Sequence, residues 1–201
     1  MGARDGRPAT RGDKCRLTLT LAWGDSTQCQ VTLGASVAEE EAIGWFFNHL
    51  FEPLFSHAEV LALVDELTHD TLQNWANRKY VTPKLVKGKR RYNALEVATV
   101  SLAQPLVWNL GMDPSAATLA VVSAMLYFHR KLKAKEVSAT QVRHQMLAYT
   151  KSVAEAEVFD ARRIPPDFFE KYEAFTVLAV GRLLNDLARK QRDFVEARRA
   201  N

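Results

Sequence analysis

The alternation of apolar and polar residues predicts a β-hairpin in the first part of the chain. In residues 16–23 every second position is large and apolar, residues 24–27 have turn chemistry, and residues 28–33 alternate again. Two runs of period two around a short turn are typical of a hairpin with one buried face. Residues 1–13 show no apolar period, and we expect them to form a disordered basic arm.

Helical periods follow the hairpin, and capping residues mark where they start. Two capping boxes, each a Ser with a Glu three residues later, begin at Ser36 and Ser56. The second of these helices is short and is expected to end near Val64. Thr68 is the N-cap of a third predicted helix, which covers residues 71–79.

The second half of the chain has the period of helices almost throughout. We expect them at about 94–110, 114–135, 139–157 and 166–198. The last carries one apolar stripe made of Phe168, Tyr172, Phe175, Ala179, Leu183 and Leu187. It would be about 45–50 Å long, longer than a domain of this size is usually wide. We therefore expect a homodimer through the C-terminal helices, and the alternative is a single monomeric bundle.

The composition excludes several classes of protein. Of 201 residues, 47% are hydrophobic and 25% are charged, which is typical of a globular chain and not of a disordered one. Cys15 and Cys29 are too few for a disulfide scaffold, and the predicted hairpin register separates them. The longest uncharged apolar runs have 16 residues, fewer than the roughly 20 that cross a membrane. Because the first residues lack the apolar centre of a secretory signal, we expect a cytoplasmic protein.

Neither a metal site nor a catalytic motif is predicted. The five histidines share no ligand spacing, and no cysteine follows Cys29. The chain also lacks a nucleophile elbow, a phosphate-binding loop, zinc-hydrolase spacing and paired catalytic carboxylates. We expect a protein that is not an enzyme and that needs no cofactor or metal.

The net charge of +4 is concentrated in one segment. Residues 71–93 hold seven of the 27 basic residues and none of the 23 acidic ones, so the rest of the chain has a net charge of −3. The seven are Arg78, Lys79, Lys84, Lys87, Lys89, Arg90 and Arg91. A basic run alone is often only a solvated loop, so its interpretation depends on the helix that precedes it.

That helix has a polar outer face suited to nucleic acid. Its period places Leu72 and Trp75 inward and leaves Gln73, Asn74, Asn77 and Arg78 outward. Gln and Asn side chains can pair with adenine, and Arg with guanine, through two hydrogen bonds in the major groove. The basic residues that follow would neutralise phosphates. We therefore predict nucleic-acid binding, and the alternative is an adaptor whose basic loop binds an acidic protein.

An ordered set of motifs supports this interpretation. The motifs are Phe55-Ser56-His57-Ala58-Glu59-Val60, Thr68-His69-Asp70-Thr71-Leu72-Gln73-Asn74-Trp75-Ala76-Asn77-Arg78, Val81-Thr82-Pro83, Gly88-Lys89-Arg90-Arg91-Tyr92 and Glu96-Val97. Together they resemble the winged helix-turn-helix of MerR-type DNA-binding proteins, over residues 55–112 only. The stretch Thr71-Leu72-Gln73-Asn74-Trp75 also resembles phage DNA-packaging small subunits and excisionases.

The resemblance implies a role for each matching residue. Thr68 would cap the recognition helix, Arg90 would be the wing arginine on the DNA backbone, and Tyr92 would anchor the wing. The candidate DNA-binding residues are Thr71, Gln73, Asn74, Asn77, Arg78, Lys79, Lys84, Lys87, Lys89, Arg90, Arg91 and Tyr92.

The chain departs from the family pattern at three places. Gln73-Asn74 replaces a frequent Arg-Tyr pair, which implies a different base sequence and one lost phosphate contact. Asp65-Glu66 stands where the turn usually has a glycine, with one extra residue before Thr68. Lys79 stands where a glycine usually ends the helix.

We therefore expect a mainly α fold with four parts. These are a basic arm (1–13), a β-hairpin and helix (14–54), a winged helix-turn-helix DNA-binding domain (55–112) and a helical dimerisation or effector region (113–201). The expected function is sequence-specific binding of double-stranded DNA, as in a transcription regulator with an unknown effector or protein partner. The alternatives are a phage-type packaging or recombination accessory factor and a protein-interaction adaptor.

Overall fold

The computed structural model describes residues 37–150, 155–164, 166–168 and 176–200. The predicted basic arm and β-hairpin, with Cys15 and Cys29, lie outside the described residues. So do Tyr172 and Phe175 of the predicted C-terminal stripe.

The described part of the chain is mainly helical with two small antiparallel sheets. Its helices are α1 (Val37–Asn48), α2 (His57–Leu63), α3 (His69–Asn77), α4 (Ala94–Trp108), α5 (Pro114–Lys133), α6 (Ala139–Val142) and α7 (Val180–Ala200). Its strands are β1 (Phe55–Ser56), β2 (Lys84–Val86), β3 (Lys89–Tyr92), β4 (Gln145–Thr150), β5 (Glu155–Asp160) and β6 (Thr176–Leu178). No helix among these residues is long and apolar enough to span a bilayer.

Each sheet has three strands, and its middle strand pairs on both sides. The first has the order β1-β3-β2, with Tyr92 opposite Phe55 and Arg91 opposite Lys84. The second has the order β5-β4-β6, so Leu147 lies opposite Val158 on one side and Leu178 on the other. The first sheet joins α2 and α3 to the start of α4, and the second lies between α6 and α7.

One hydrophobic core connects the helices with the α2–α3 segment. It includes Phe46 of α1, Val100 of α4, Phe128 of α5 and Leu184 of α7, all with no more than 1% of their surface exposed. Because Leu72 of α3 belongs to the same cluster, the orientation of α3 is set by the packed body of the protein.

The helix starts predicted at Ser56 and Thr68 are confirmed by their caps. The Ser56 side chain accepts from the Glu59 backbone N–H, and the Glu59 carboxylate accepts from the Ser56 backbone N–H at 2.6 Å. Thr68 caps α3 by accepting from the Thr71 backbone N–H at 3.2 Å. These reciprocal contacts satisfy backbone donors that a helix start otherwise leaves unpaired.

The helix predicted at 139–157 is wrong. Among the residues of this range that the structure describes, only Ala139–Val142 is helical, and β4 and part of β5 follow. At the start of β5 the charged residues Glu155 and Glu157 alternate with Ala156 and Val158, a period of two that is typical of a strand. Pairing of β4 on both its edges satisfies the backbone donors and acceptors of this strand without a helix.

The helix predicted at 166–198 is confirmed only from Val180 onward, because strand β6 precedes the start of α7. With 21 residues it is about 31 Å long, so the length argument for a homodimer does not apply. Its buried side consists of Val180, Gly181, Leu184, Asn185, Leu187, Ala188, Gln191 and Val195, whereas Leu183 of the predicted stripe is 39% exposed.

The first turn of α7 lies against the end of α6. A Cβ atom on Gly181 would come within 1.8 Å of the Val142 carbonyl oxygen and within 2.9 Å of the Arg143 carbonyl carbon. Both are backbone atoms, which cannot move aside as a flexible side chain would. Glycine at position 181 therefore permits the contact between the two helices.

Candidate nucleic-acid interface

Helix α3 is held by its inner face and presents its outer face to solvent. Leu72 is fully buried and Trp75 is 4% exposed. Gln73, Asn74 and Asn77 are exposed, as the helical period predicts. Three amide side chains therefore lie on one accessible helix surface.

Thr71 is placed differently from these amides. It is half-buried, and its hydroxyl lies 2.8 Å from the Thr68 hydroxyl, the cap of the same helix. Since the hydroxyl is already engaged in the cap, Thr71 serves the start of α3 more directly than it serves an outer surface.

The C-terminal end of α3 is a Schellman motif with a lysine in the glycine position. The Tyr80 N–H donates to the Trp75 carbonyl at 2.9 Å, and the Lys79 N–H donates to the Ala76 carbonyl at 3.2 Å. Lys79 has φ +62°, a left-handed conformation that favours glycine. The Trp75 and Tyr80 rings meet edge to face at 6.1 Å, so apolar contact helps to hold this end.

The turn between α2 and α3 likewise tolerates the absence of glycine. Glu66 has φ +60°, so it adopts the backbone conformation that a glycine would otherwise supply. Both departures from the expected glycine pattern are therefore accommodated by residues in the left-handed region.

Strands β2 and β3 form a hairpin with a two-residue turn, Lys87-Gly88. Both turn residues have positive φ, +50° and +75°, as a type I′ turn requires. The hairpin covers residues 84–92 and is called the basic hairpin below. Lys84, Lys87 and Lys89 are exposed on it.

The two faces of the basic hairpin carry different basic residues. Because neighbouring side chains of a strand point to opposite faces, Arg90 shares a face with its cross-strand partner Leu85, and Arg91 shares the other with Lys84. Arg90 lies towards α3, since its guanidinium is 3.5 Å from the Asn77 amide oxygen. The seven basic residues therefore do not form one patch.

Arg91 forms an ion pair with a carboxylate of the same chain. Its guanidinium lies 3.3 Å from the Glu59 carboxylate, which Arg198 of α7 also contacts at 3.1 Å. Burial would raise the pKa of Glu59, but the Ser56 hydrogen bonds and Arg198 outweigh it and lower this pKa. Since Glu59 is held ionised, part of the Arg91 charge is neutralised within the protein.

Tyr92 cannot touch a ligand, in contrast to its place among the candidate DNA-binding residues. Its side chain is fully buried, and its hydroxyl lies 3.3 Å from Nδ1 of His57. Burial raises the pKa of Tyr92. The residue fastens the basic hairpin to α2, which agrees with the anchoring role that the family resemblance implies.

Sequence reasoning missed a pair of histidines at this site. Nε2 of His57 lies 3.0 Å from Nδ1 of His69, which joins the first residue of α2 to the first residue of α3. Burial, then the nearby His69 and Arg90, lower the pKa of His57. The only sequence signal was that each histidine follows a helix cap.

A buried glutamate, also missed, fixes the base of the basic hairpin. The Glu96 carboxylate accepts from the backbone N–H of Thr82 at 2.9 Å and of Asn93 at 2.8 Å. Burial raises its pKa against these hydrogen bonds. The segment before β2 and the one after β3 are thereby tied to the first turn of α4.

Among the described residues no group of three or more histidine, cysteine, aspartate or glutamate side chains could hold a metal ion. No protein-family model matches the chain, and neither a curated protein nor a solved structure matches it. The function is therefore inferred from the geometry and charge of the described residues.

Proposed function

We propose that the protein binds double-stranded DNA through α3 and the basic hairpin, arranged as a winged helix-turn-helix. The observation that carries this proposal is the contact between Arg90 and Asn77. It joins a cationic strand to the exposed amide face of a helix, in a segment without a single carboxylate between residues 71 and 93.

The dimensions and chemistry of α3 fit the major groove. A helix with its side chains is about 10–12 Å wide, and the groove is about 12 Å wide. Gln73 and Asn74 on its exposed face can each form two hydrogen bonds with adenine. We therefore propose that these residues read sequence, and that a regulator of transcription is the role such readout serves.

The basic hairpin would contact the DNA backbone. Arg78 and Lys79 at the end of α3, together with Lys87 and Arg90 of the basic hairpin, form no ion pair with a carboxylate among the described residues. Each phosphate contact releases counterions, so binding should weaken steeply with salt. Arg91 should contribute less, because Glu59 already pairs with it.

Neighbouring arginines give a matched test. Arg90→Ala and Arg91→Ala each remove one charge, and binding is measured by fluorescence anisotropy on a duplex selected from a random pool. We expect Arg90→Ala to weaken binding to all duplexes alike and to reduce the salt slope by about 0.9. Arg91→Ala should change the slope by about half as much or less.

Gln73→Ala and Asn74→Ala should instead change the preference among selected duplexes. Equal effects of the two arginine variants would contradict the assignment of faces in the basic hairpin. Failure of the chain to bind any duplex at low salt would overturn DNA binding and favour an acidic protein partner. Two-fold symmetry in the selected sequences would support the expected homodimer, and a ring of many subunits in light scattering would favour the packaging alternative.

A further inference from the structure

A cleft opens beside the turn that joins α2 to α3. It has a volume of about 190 Å³ and lies between residues 64–66 and one side of α4. This volume equals that of about six water molecules, which suits a small molecule and not a macromolecular segment. The cleft is separate from the exposed amide face of α3.

In the α4 wall of the cleft, one buried side-chain oxygen has no hydrogen-bond partner and one backbone carbonyl lacks its helical donor. Gln104 is 5% exposed, and its amide oxygen is buried without a hydrogen-bond partner. Pro105 has no N–H, so the helical hydrogen bond to the Ser101 carbonyl is missing. Ser101, Gln104 and Pro105 all line the cleft.

Only the nitrogen of the Gln104 side-chain amide has a hydrogen-bond partner. Its nitrogen donates to the Asp65 carbonyl at 3.4 Å, a long contact that holds the amide loosely. The last torsion of a glutamine side chain is soft, so the amide can turn its oxygen towards a donor that enters the cleft. Buried acceptors of this kind are normally satisfied in proteins.

The turn side of the cleft is anionic, and its outer rim is aromatic. Asp65 and Glu66 line it, and Asp65 pairs with the exposed Lys190 at 2.8 Å. An exposed pair of this kind is weak and readily exchanged. Trp108 is 47% exposed at the rim, where its ring face can attract a cation.

We propose that this cleft binds a small planar organic cation with several N–H donors, such as an amidinium or guanidinium compound. Such a ligand donates to Gln104 and Ser101, pairs with the carboxylates and stacks on Trp108. An anion would meet Asp65 and Glu66 with the same charge. A neutral molecule of the same shape would lose the ion pair and one donor group.

Benzamidine and benzamide provide matched probes, because they share a shape and differ in charge and in one donor group. Binding to the full chain without DNA is followed by NMR on the tryptophan indole signals, with Trp108→Phe used to assign the relevant one. We expect benzamidine to shift the Trp108 signal in a saturable way and benzamide to bind at least about tenfold more weakly. Equal affinity of the two probes, or no saturable shift, would overturn the proposal.

Variants locate the binding to the cleft. Gln104→Leu, checked for folding by its circular dichroism, should weaken benzamidine binding about tenfold. Glu66→Gln changes an exposed position and should weaken benzamidine binding at least about threefold. If Gln104→Leu does not fold, Glu66→Gln alone tests the location of the site. Glu40→Gln in α1 makes the same charge change on another element and should leave the affinity unaltered. Unaltered affinity in Glu66→Gln, or equal weakening in Glu40→Gln, would overturn the site. Because no DNA is present, the outcome is independent of the proposed function.

Discussion

At the scale of single residues, the protein places lysines where backbone geometry favours glycine. Lys79, Lys87 and Lys135 all have φ between +50° and +62°. A left-handed conformation costs a residue with a Cβ atom roughly 1 kcal/mol. Lys79 and Lys87 lie at the end of α3 and at the tip of the basic hairpin, so at these two positions charge is retained against a conformational cost.

The substitution Lys79→Gly should therefore separate stability from DNA binding. Relief of strain and the greater freedom of glycine when unfolded nearly cancel, so the free energy of unfolding should change by less than about 1 kcal/mol. The salt slope of DNA binding should fall by about 0.9. Urea denaturation and anisotropy titrations measure the two quantities.

Lys135→Gly is the matched control, because Lys135 ends α5 in the same Schellman geometry. The Glu136 N–H donates to the Lys131 carbonyl, and the Lys135 N–H donates to the Leu132 carbonyl. This variant should have a similar stability and an unchanged salt slope. A reduced slope in Lys135→Gly would show that net charge alone governs binding.

At the scale of elements, the contact between the starts of α2 and α3 makes stability depend on the protonation of His57. His57 faces His69, Arg90 and the Tyr92 hydroxyl. Since the pKa of His57 is lowered on folding, the unfolded chain binds more protons than the folded one. The stability that this group contributes is therefore present above the unfolded pKa, about 6.5, and is lost as pH falls through the folded pKa.

The variant His69→Gln tests the coupling of the two rings. Without His69, only burial and Arg90 oppose protonation of His57, so the pKa of His57 should rise towards its ordinary value. An NMR titration of the histidine ring protons measures this pKa. His129 of α5, whose pKa burial and Lys133 lower, serves as an internal control and should not change. An unaltered His57 titration would show that the two rings do not interact in solution.

The elements differ in how far the sequence predicts them. The caps at Ser56 and Thr68 involve residues only three apart, so local spacing is enough to find them. Strand β4 pairs on one side with the next strand, β5, and on the other with β6, which lies much further along the chain. The residues from 139 onward were nevertheless assigned to helices. The exposed amides of α3 were predicted from period alone. The assignment of Arg90 and Arg91 to opposite faces of the basic hairpin required the register of β2 with β3. The contact between His57 and His69 required the tertiary fold.

At the scale of the whole molecule, Glu59 connects the basic hairpin to a distant part of the chain. Its carboxylate forms ion pairs with Arg91 of the basic hairpin and with Arg198 in the last turn of α7. Both arginines also donate to the Leu54 carbonyl. The position of the hairpin is therefore tied to the C-terminal helix through one carboxylate.

Glu59→Gln should weaken the fold slightly and strengthen nonspecific DNA binding. Glutamine can keep the capping box, whereas loss of the partly exposed ion pairs should reduce the free energy of unfolding by about 0.5–1 kcal/mol. The uncompensated arginines should raise DNA affinity at low salt. Because folding lowers the pKa of Glu59, its stabilising effect is lost as pH falls below its usual 4.5. The free energy of unfolding should therefore change less between pH 7 and pH 3 in the variant than in the unmodified protein. An equal change in both proteins would contradict this role of Glu59.

The close approach of Gly181 to the Val142 carbonyl allows the abundance of the protein to be lowered in cells by one substitution. Gly181→Ala forces a methyl group against the Val142 carbonyl, and the required backbone shift should cost about 1–3 kcal/mol or more. In cells this allele should deplete the protein, whereas Arg90→Ala should leave its abundance normal, as an immunoblot would show. Normal abundance of Gly181→Ala would mean that α6 and α7 can separate at little cost. A phenotype shared by the two alleles would come from the activity that requires Arg90. A phenotype found only with Gly181→Ala would reveal a second function of the folded chain, one that does not require Arg90.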